Sequence, residues 1–138
     1  LPGNAEATVN FRLLPGDTQD SITAHVRDTV KNDRIAIAPF PGNTDPPPVT
    51  GTASAGYRVL NRTIREIFPD VVVAPGLMIA ATDSRHYAGL TDNIFRFSPV
   101  RATSEDLKRF HGTNERLSIA NYADMIRFYL RFIQSSAG

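Results

Sequence analysis

The feature that most restricts the fold of this chain is a run of turn-forming residues at positions 41–51, PGNTDPPPVTG. Proline has no backbone N–H to donate, so the three consecutive prolines hold the chain extended with limited flexibility. Apolar patterns typical of secondary structure lie on both sides of this run. We therefore predict a proline-rich connector at residues 41–50, between one domain at residues 1–40 and another at residues 51–138.

The first forty residues predict a β-α-β arrangement. Residues 7–13 alternate between apolar and polar, which is the period of a strand with one buried face. Pro15-Gly16 interrupts this strand, and the side-chain oxygen of Asp17 or Thr18 can cap a helix that follows. Residues 35–39 predict a second short strand. The helix between the strands has an apolar residue at every fourth position: Ile22, Val26 and Val30.

Beyond the connector, the sequence predicts two longer helices and three short strands. The first helix ends before Pro69, and Ser118 can cap the second. The apolar residues of the second helix fall on two sides, which is typical of a helix packed between layers. Strands that alternate with helices make α/β the predicted fold class. The predicted strands are 71–73, 77–81 and 93–97; the apolar helix positions are Tyr57, Leu60, Ile64 and Ile67, then Ile119, Tyr122, Ile126, Tyr129 and Ile133 on one side of the second helix and Met125, Phe128 and Phe132 on the other.

Composition and charge restrict the classes of function that this chain can have. The 138 residues are 41% apolar and 21% charged, close to globular averages. A net charge of +1 with intermixed signs argues against a nucleic-acid partner, and no apolar run approaches the roughly 20 residues of a membrane span. Cysteine is absent, so a metal would need imidazole and carboxylate ligands, which suit catalytic zinc. Leu1-Pro2-Gly3-Asn4 has neither Met nor a charged leader, so we expect the natural N-terminus to precede this sequence.

Two short segments concentrate ionisable groups beside turn-forming residues, namely 81–86 (ATDSRH) and 110–116 (FHGTNER). Ligands of α/β folds gather in the loops beyond the carboxyl ends of strands, where these segments are expected. From the residues alone, Asp83-x-Arg85 is more typical of a surface ion pair or a turn than of a binding site. His111 alone is more typical of a solvated or hydrogen-bonded loop histidine, because one imidazole does not make a metal site.

Four segments in order resemble one enzyme family: 10–18 (NFRLLPGDT), 82–85 (TDSR), 94–99 (IFRFSP) and 110–115 (FHGTNE). They are similar to the lid-domain strand and turn, the T-D-x-R segment, the strand before the final loop and the closing H-G-x-N-E of the di-zinc carboxypeptidases and aminoacylases. The similarity is greatest to the branch of carboxypeptidase S and the N-fatty-acyl-amino-acid hydrolase/synthases. The resemblance covers nearly the whole chain.

The resemblance implies roles for four residues. His111 matches the last zinc ligand, and Arg85 matches the arginine that receives the substrate's free carboxylate. A guanidinium suits that role because its planar fork forms two parallel hydrogen bonds to a carboxylate. Glu115 would orient the ligand or its loop from the second shell, and Asp83 would orient Arg85 or its neighbouring loop.

Three further residues fit non-functional roles better. His25 is expected in a solvated helix position, His86 in a packing role and Arg12 on the surface of a strand.

The resemblance also implies what lies outside this sequence. The family uses two zinc ions bridged by an aspartate and a water, with a glutamate as general base. The segments that carry those groups are absent here, so we expect the chain to be a C-terminal fragment that is inactive alone. Residues 1–40 would be the second half of the lid, or dimerisation, domain, and residues 51–138 the C-terminal half of the catalytic domain.

The full-length parent would hydrolyse or form an amide bond beside a free carboxylate, in N-acyl amino acids or at the C-terminus of peptides. Zinc is the implied cofactor, two ions per complete site with one ligand in this chain, and a homo-oligomer is expected. Two alternatives stay open at this point. One is a non-catalytic oligomerisation or interaction module built on the lid strands; the other is a dipeptidase or deacetylase specificity within the same hydrolases.

Overall fold

A computed structural model describes residues 3–80 and 82–137 of the chain. Its elements are α1 (Gln19–Val30), α2 (Ala55–Ile67), a 3₁₀ helix (Asp83–Tyr87), α3 (Ser104–Leu107) and α4 (Ile119–Ser136). By their contacts the residues divide into two compact units. The first unit comprises the chain up to Val49 together with Leu77–Leu90; the second comprises Thr50–Gly76 and the chain from Thr91 onward.

The helix boundaries follow local sequence signals. Thr18 caps α1 by accepting a hydrogen bond from the Ser21 backbone N–H at 3.0 Å, and the Ser21 hydroxyl oxygen accepts from the Thr18 N–H in return. Ser118 likewise caps α4 by accepting from the Asn121 N–H. The predicted caps of these two helices and the end of α2 before Pro69 are confirmed.

The described residues contain no β-strand, so the predicted strands 7–13, 35–39, 71–73, 77–81 and 93–97 are not formed in this chain; Ala81 lies outside the described residues. Alternation of apolar and polar residues predicts which face of a segment is buried. It does not supply the neighbouring backbone whose hydrogen bonds define a strand. Here these segments lie beside no pairing strand, and the described architecture is helical.

The core of the second unit is the contact between α2 and α4. The four buried apolar residues are Leu60, Ile64, Phe68 and Phe128. Phe128 has only 1% of its surface exposed, and its ring lies 5.3 Å from that of Phe97, 5.9 Å from that of Phe132 and 6.3 Å from that of Phe68, measured between centroids. Aromatic pairs at these separations add to the free energy of burial, so Phe128 is the centre of this unit.

Polar contacts fix the segment that leaves this core at residues 99–101. The buried side chain of Asn121 donates to the Pro99 carbonyl oxygen at 3.0 Å and accepts from the Arg101 N–H at 2.9 Å. The Arg101 guanidinium forms two hydrogen bonds to the Asp70 carboxylate, at 2.7 and 2.8 Å, and lies 5.0 Å from the centroid of the Phe68 ring. Its hydrogen bond lowers the pKa of Asp70 to about 2. The start of the 102–117 segment is thereby anchored to α4 and to the residues that directly follow α2.

Only one of the two apolar sides of α4 is covered. Phe128 and Phe132 belong to the core of the second unit. The residues of the other side, which we call the outer stripe, are exposed: Ile119, Tyr122, Ile126, Tyr129 and Ile133. The sequence of α4 predicts that this helix packs between two layers. Only one of these two layers is present among the described residues.

Candidate functional site

The first candidate segment forms a 3₁₀ helix in the first unit. Thr82 caps it by accepting from the Ser84 N–H, and the Arg85 N–H donates to the Thr82 carbonyl oxygen at 3.3 Å. Asp83 and Arg85 are both exposed. Among the described residues no ion pair joins them, so the local turn, and not a salt bridge between them, sets their placement. An exposed guanidinium in such a turn is free to receive an anionic group.

The second candidate segment begins at α3 in the second unit. Thr103 caps this short helix, and Asp106 accepts from the Thr103 N–H at 2.9 Å in return. That hydrogen bond is the main reason that the pKa of Asp106 falls to about 2, and the Arg109 guanidinium that bonds the same carboxylate lowers it further. Arg109 is thus held by the helix cap, two residues before His111.

His111 lies in a tight turn whose backbone conformation is unusual. It has a φ of 59° and Asn114 a φ of 64°, both in the left-handed region. That region is uncommon for residues other than glycine, although Asn and His tolerate it better than most. The Gly112 N–H donates to the Arg109 carbonyl oxygen at 2.8 Å, which closes the turn.

Glu115 stabilises this turn through the backbone. A carboxylate oxygen of Glu115 accepts from the His111 N–H at 3.1 Å. The ring of His111 lies 4.2 Å from that of Phe110, and the residue is exposed. The backbone of His111 is therefore held in place while its imidazole stays accessible. This arrangement suits a group that coordinates or hydrogen-bonds a partner from outside the turn.

The described residues do not make a metal site by themselves. Across the ranges 3–80 and 82–137, no group of three or more His, Asp or Glu side chains is close enough to hold a metal ion. Catalytic zinc usually has three protein ligands, and this turn offers one imidazole with one carboxylate nearby.

The two candidate segments belong to different units, Asp83 and Arg85 to the first and His111 and Glu115 to the second.

The three residues for which the sequence predicts non-functional roles are all exposed. His25 is exposed on α1 and Arg12 is exposed in its segment, both as expected. His86 is exposed as well, which corrects the packing role predicted for it: no residue of its 3₁₀ helix is buried.

Sequence reasoning missed a basic groove on α2. Its volume is about 460 Å³, and its lining includes Arg58, Arg62 and Arg65, at helical spacings of four and three. Glu66, which also lines the groove, bonds Arg131 of α4 at 2.6 Å, and this lowers the pKa of Glu66. The arginine spacing was visible in the sequence and would have indicated a basic helix face.

Comparison with known proteins identifies the family. Residues 4–135 match Peptidase family M20/M25/M40, so the chain belongs to that family. This confirms the resemblance that the four motifs indicated.

The relatives are much longer than this chain. It is 46% identical over 136 residues to the probable carboxypeptidase S-like 2 of Dictyostelium discoideum, which covers 99% of this chain and 26% of that protein. It is 42% identical over 137 residues to the N-fatty-acyl-amino acid synthase/hydrolase of Xenopus tropicalis, again covering 99% of this chain and 27% of the relative. The chain thus spans about a quarter of the length of these curated relatives.

No solved structure matches the chain. Among the described residues, no helix combines the length and apolar character needed to cross a bilayer.

Proposed function

We propose that this chain is the C-terminal part of a zinc-dependent hydrolase that acts on an amide bond beside a free carboxylate. The observation that carries the proposal is the family match over residues 4–135. The names of the relatives, a carboxypeptidase S-like protein and an N-fatty-acyl-amino acid synthase/hydrolase, support the proposed substrate class, which is N-fatty-acyl amino acids or the C-terminal residues of peptides.

We also propose the division of the parent protein. Residues 1–40 form the second half of its lid, or dimerisation, domain, and residues 51–138 complete its catalytic domain. Residues 41–50 connect the two domains. In the parent, the segments predicted as strands pair with strands from outside this sequence, and two parents associate through the lid domain. The one-sided packing of α4 supports the view that further layers are needed.

Arg85 is proposed to anchor the carboxylate of the substrate. Its exposure and the lack of an ion pair with Asp83 support this role, because no neighbouring carboxylate of its own turn competes for the guanidinium. Asp83 helps to set the turn that presents Arg85.

His111 is proposed as one ligand of a zinc site whose other ligands lie outside this chain, and Glu115 as the residue that fixes its turn. The accessible imidazole and the hydrogen bond from the His111 N–H to Glu115 support these roles. When bound, zinc would polarise the scissile carbonyl and lower the pKa of a bound water. This chain itself contributes the placement of the imidazole and of the carboxylate anchor.

A graft tests the proposal. In this experiment the chain replaces the matching quarter of the Xenopus tropicalis relative, and the resulting hybrid protein is called the graft. The graft should hydrolyse an N-fatty-acyl amino acid, and adding a chelator should abolish that hydrolysis. The isolated chain, with or without zinc, should show no turnover, because it lacks the general base and the bridging carboxylate. Chelator-sensitive turnover by the pure isolated chain, or a folded graft without activity, would contradict the proposal.

Arg85 variants of the graft test the carboxylate anchor. Arg85→Lys keeps the charge but loses the two parallel hydrogen bonds, so it should already be impaired. Arg85→Ala should cost on the order of 2–4 kcal/mol in transition-state stabilisation, which is roughly 30- to 900-fold in kcat/KM.

The control for the Arg85 experiment is a substrate whose carboxylate is replaced by a neutral amide. The unsubstituted graft should strongly prefer the acid, and Arg85→Ala should hardly distinguish the two. If the variant keeps the full preference for the acid, another group binds the carboxylate and the role of Arg85 is refuted.

A further inference from the structure

The basic groove on α2 brings several cations to one concave surface of the second unit. Seven residues line it: Thr52, Tyr57, Arg58, Asn61, Arg62, Arg65 and Glu66. Its volume of about 460 Å³ lies within the range of roughly 300–1,000 Å³ that is typical of sites for small molecules. A ligand of that size would therefore meet a surface on which positive groups outnumber negative ones.

The carboxylate in the groove is neutralised by an arginine of another helix. Glu66 accepts hydrogen bonds from Arg131 of α4, from Nε at 2.6 Å and from Nη2 at 3.3 Å. The Nε of Arg62 lies 3.9 Å from Oε1 of Glu66, which is beyond hydrogen-bonding distance. Arg62 thus has only a loose ion pair, with a carboxylate that Arg131 already holds.

The other two arginines of the groove bond neutral acceptors. Arg58 donates from Nη1 to the Ala53 carbonyl oxygen at 2.6 Å, and Arg65 donates from Nε to the Asn61 side-chain oxygen at 2.8 Å. Among the described residues, no ion pair joins either guanidinium to a carboxylate. A guanidinium has five N–H donors, so each of the two keeps its charge and further donors for a partner while one hydrogen bond restricts its position.

The spacing and charge of the three arginines indicate the kind of anion that fits. At a rise of about 1.5 Å per residue, intervals of four and three positions separate them by about 6 and 4.5 Å along the helix axis. An anion with several charged groups can contact all three at once. The guanidinium fork matches phosphate oxygens in parallel hydrogen bonds. A phosphate group also carries more charge and more acceptor oxygens than a carboxylate of similar size, which suits three cations around a small groove.

We propose that the basic groove is a binding site for a small compound with several phosphate groups, which Arg58, Arg62 and Arg65 bind together. The proposal does not rest on the proposed function, because no residue of the groove belongs to the segments 81–86 and 110–116. Two sources share this chemistry, a free polyphosphorylated compound and the headgroup of a polyphosphorylated lipid, and the experiment distinguishes them.

Calorimetric titration of the chain with tripolyphosphate, in chloride buffer of constant ionic strength, tests the site. The unsubstituted chain should show saturable binding. Arg62→Gln should weaken it about 10-fold or more, because hydrogen bonds to charged groups are among the stronger ones. Arg62→Lys keeps the charge but loses the fork, so its affinity should lie between the two.

The matched control is Arg27→Gln, which removes the same charge from an exposed position of α1 that does not line the groove. It should change the affinity by less than about 2-fold, because salt screens exposed charges. Circular dichroism checks that each variant keeps its helices. Absence of saturable binding, or equal weakening by Arg62→Gln and Arg27→Gln, would overturn the proposal.

Chemical modification of the unsubstituted chain gives a second measurement that needs no variant. Phenylglyoxal reacts with accessible arginines, and the modified peptides are quantified by mass spectrometry. Tripolyphosphate should protect Arg58, Arg62 and Arg65 and leave Arg27 reactive. Equal modification of Arg27 and the three groove arginines in the presence of tripolyphosphate would contradict the site.

Vesicles and an acidic peptide identify the source of the anionic groups. Binding to phosphatidylcholine vesicles that contain phosphatidylinositol bisphosphate, lost in Arg62→Gln, would support a lipid headgroup. Binding of tripolyphosphate without binding to these vesicles would support a free compound. Equal binding to phosphatidylserine vesicles of the same charge density would show a general attraction to anionic membranes, and tighter binding of polyglutamate than of tripolyphosphate would indicate an acidic protein segment. Either of these last two results would overturn the proposal.

Discussion

Replacing His111 with Ala in the graft should remove one metal ion per subunit and lower kcat by at least about 100-fold. The estimate is a lower bound, because changes to residues that merely orient metal ligands already cost roughly 10- to 100-fold. The turn itself should persist, since the hydrogen bonds that hold it involve backbone groups of residues 109, 111 and 112 and the Glu115 carboxylate. Metal content is measured by mass spectrometry of the purified protein alongside kcat.

The control for the His111 variant is His25→Ala, which removes an exposed imidazole from α1. That variant should keep both the metal content and the activity of the graft. If His111→Ala retains two metal ions per subunit, His111 is not a ligand.

Replacing Phe128 with Ala should destabilise the second unit by about 3–5 kcal/mol, the range typical of a buried Phe that is truncated in a core. Phe128 is 1% exposed and the rings of Phe68, Phe97 and Phe132 surround it, so the cavity cannot fill without moving both α2 and α4. Since a typical domain has only about 5–15 kcal/mol of stability, this change removes a large part of it.

Urea unfolding of the Phe128 variant should be followed by circular dichroism, with amide hydrogen exchange of α2 and α4 to assign the loss to the second unit. Tyr122→Ala on the same helix is the matched control. Tyr122 belongs to the exposed outer stripe, so its truncation should change the free energy of unfolding by less than about 1 kcal/mol. If both variants lower the free energy of unfolding equally, Phe128 is not the centre of the core.

The helices could be predicted from sequence because their signals are local. Thr18 and Ser118 precede apolar residues at helical spacing, and Pro69 marks the end of α2. The strands could not be predicted in the same way, since a strand requires a pairing partner that is distant in sequence. The alternation in residues 7–13 is real, but no described segment pairs with it.

The candidate site was predictable in part. The motifs around Arg85 and His111 were visible in the sequence, but the left-handed backbone of His111 was not, because glycine is the residue that usually indicates that conformation. The role of Asn121 was also hidden. A polar residue on a helix predicts an exposed position, yet Asn121 is buried and holds Pro99 and Arg101. Such contacts join residues about twenty positions apart and leave no local pattern.

The turn at His111 has a consequence for engineering this protein. A redesign that considers only stability would place Gly at positions 111 and 114, where the backbone has a positive φ and any other side chain adds strain. The redesigned chain would gain stability and lose the imidazole. Stability and activity are commonly traded in this way at functional positions, so if His111 has the role proposed for it, thermostabilised versions of this chain should leave residues 109–115 unchanged.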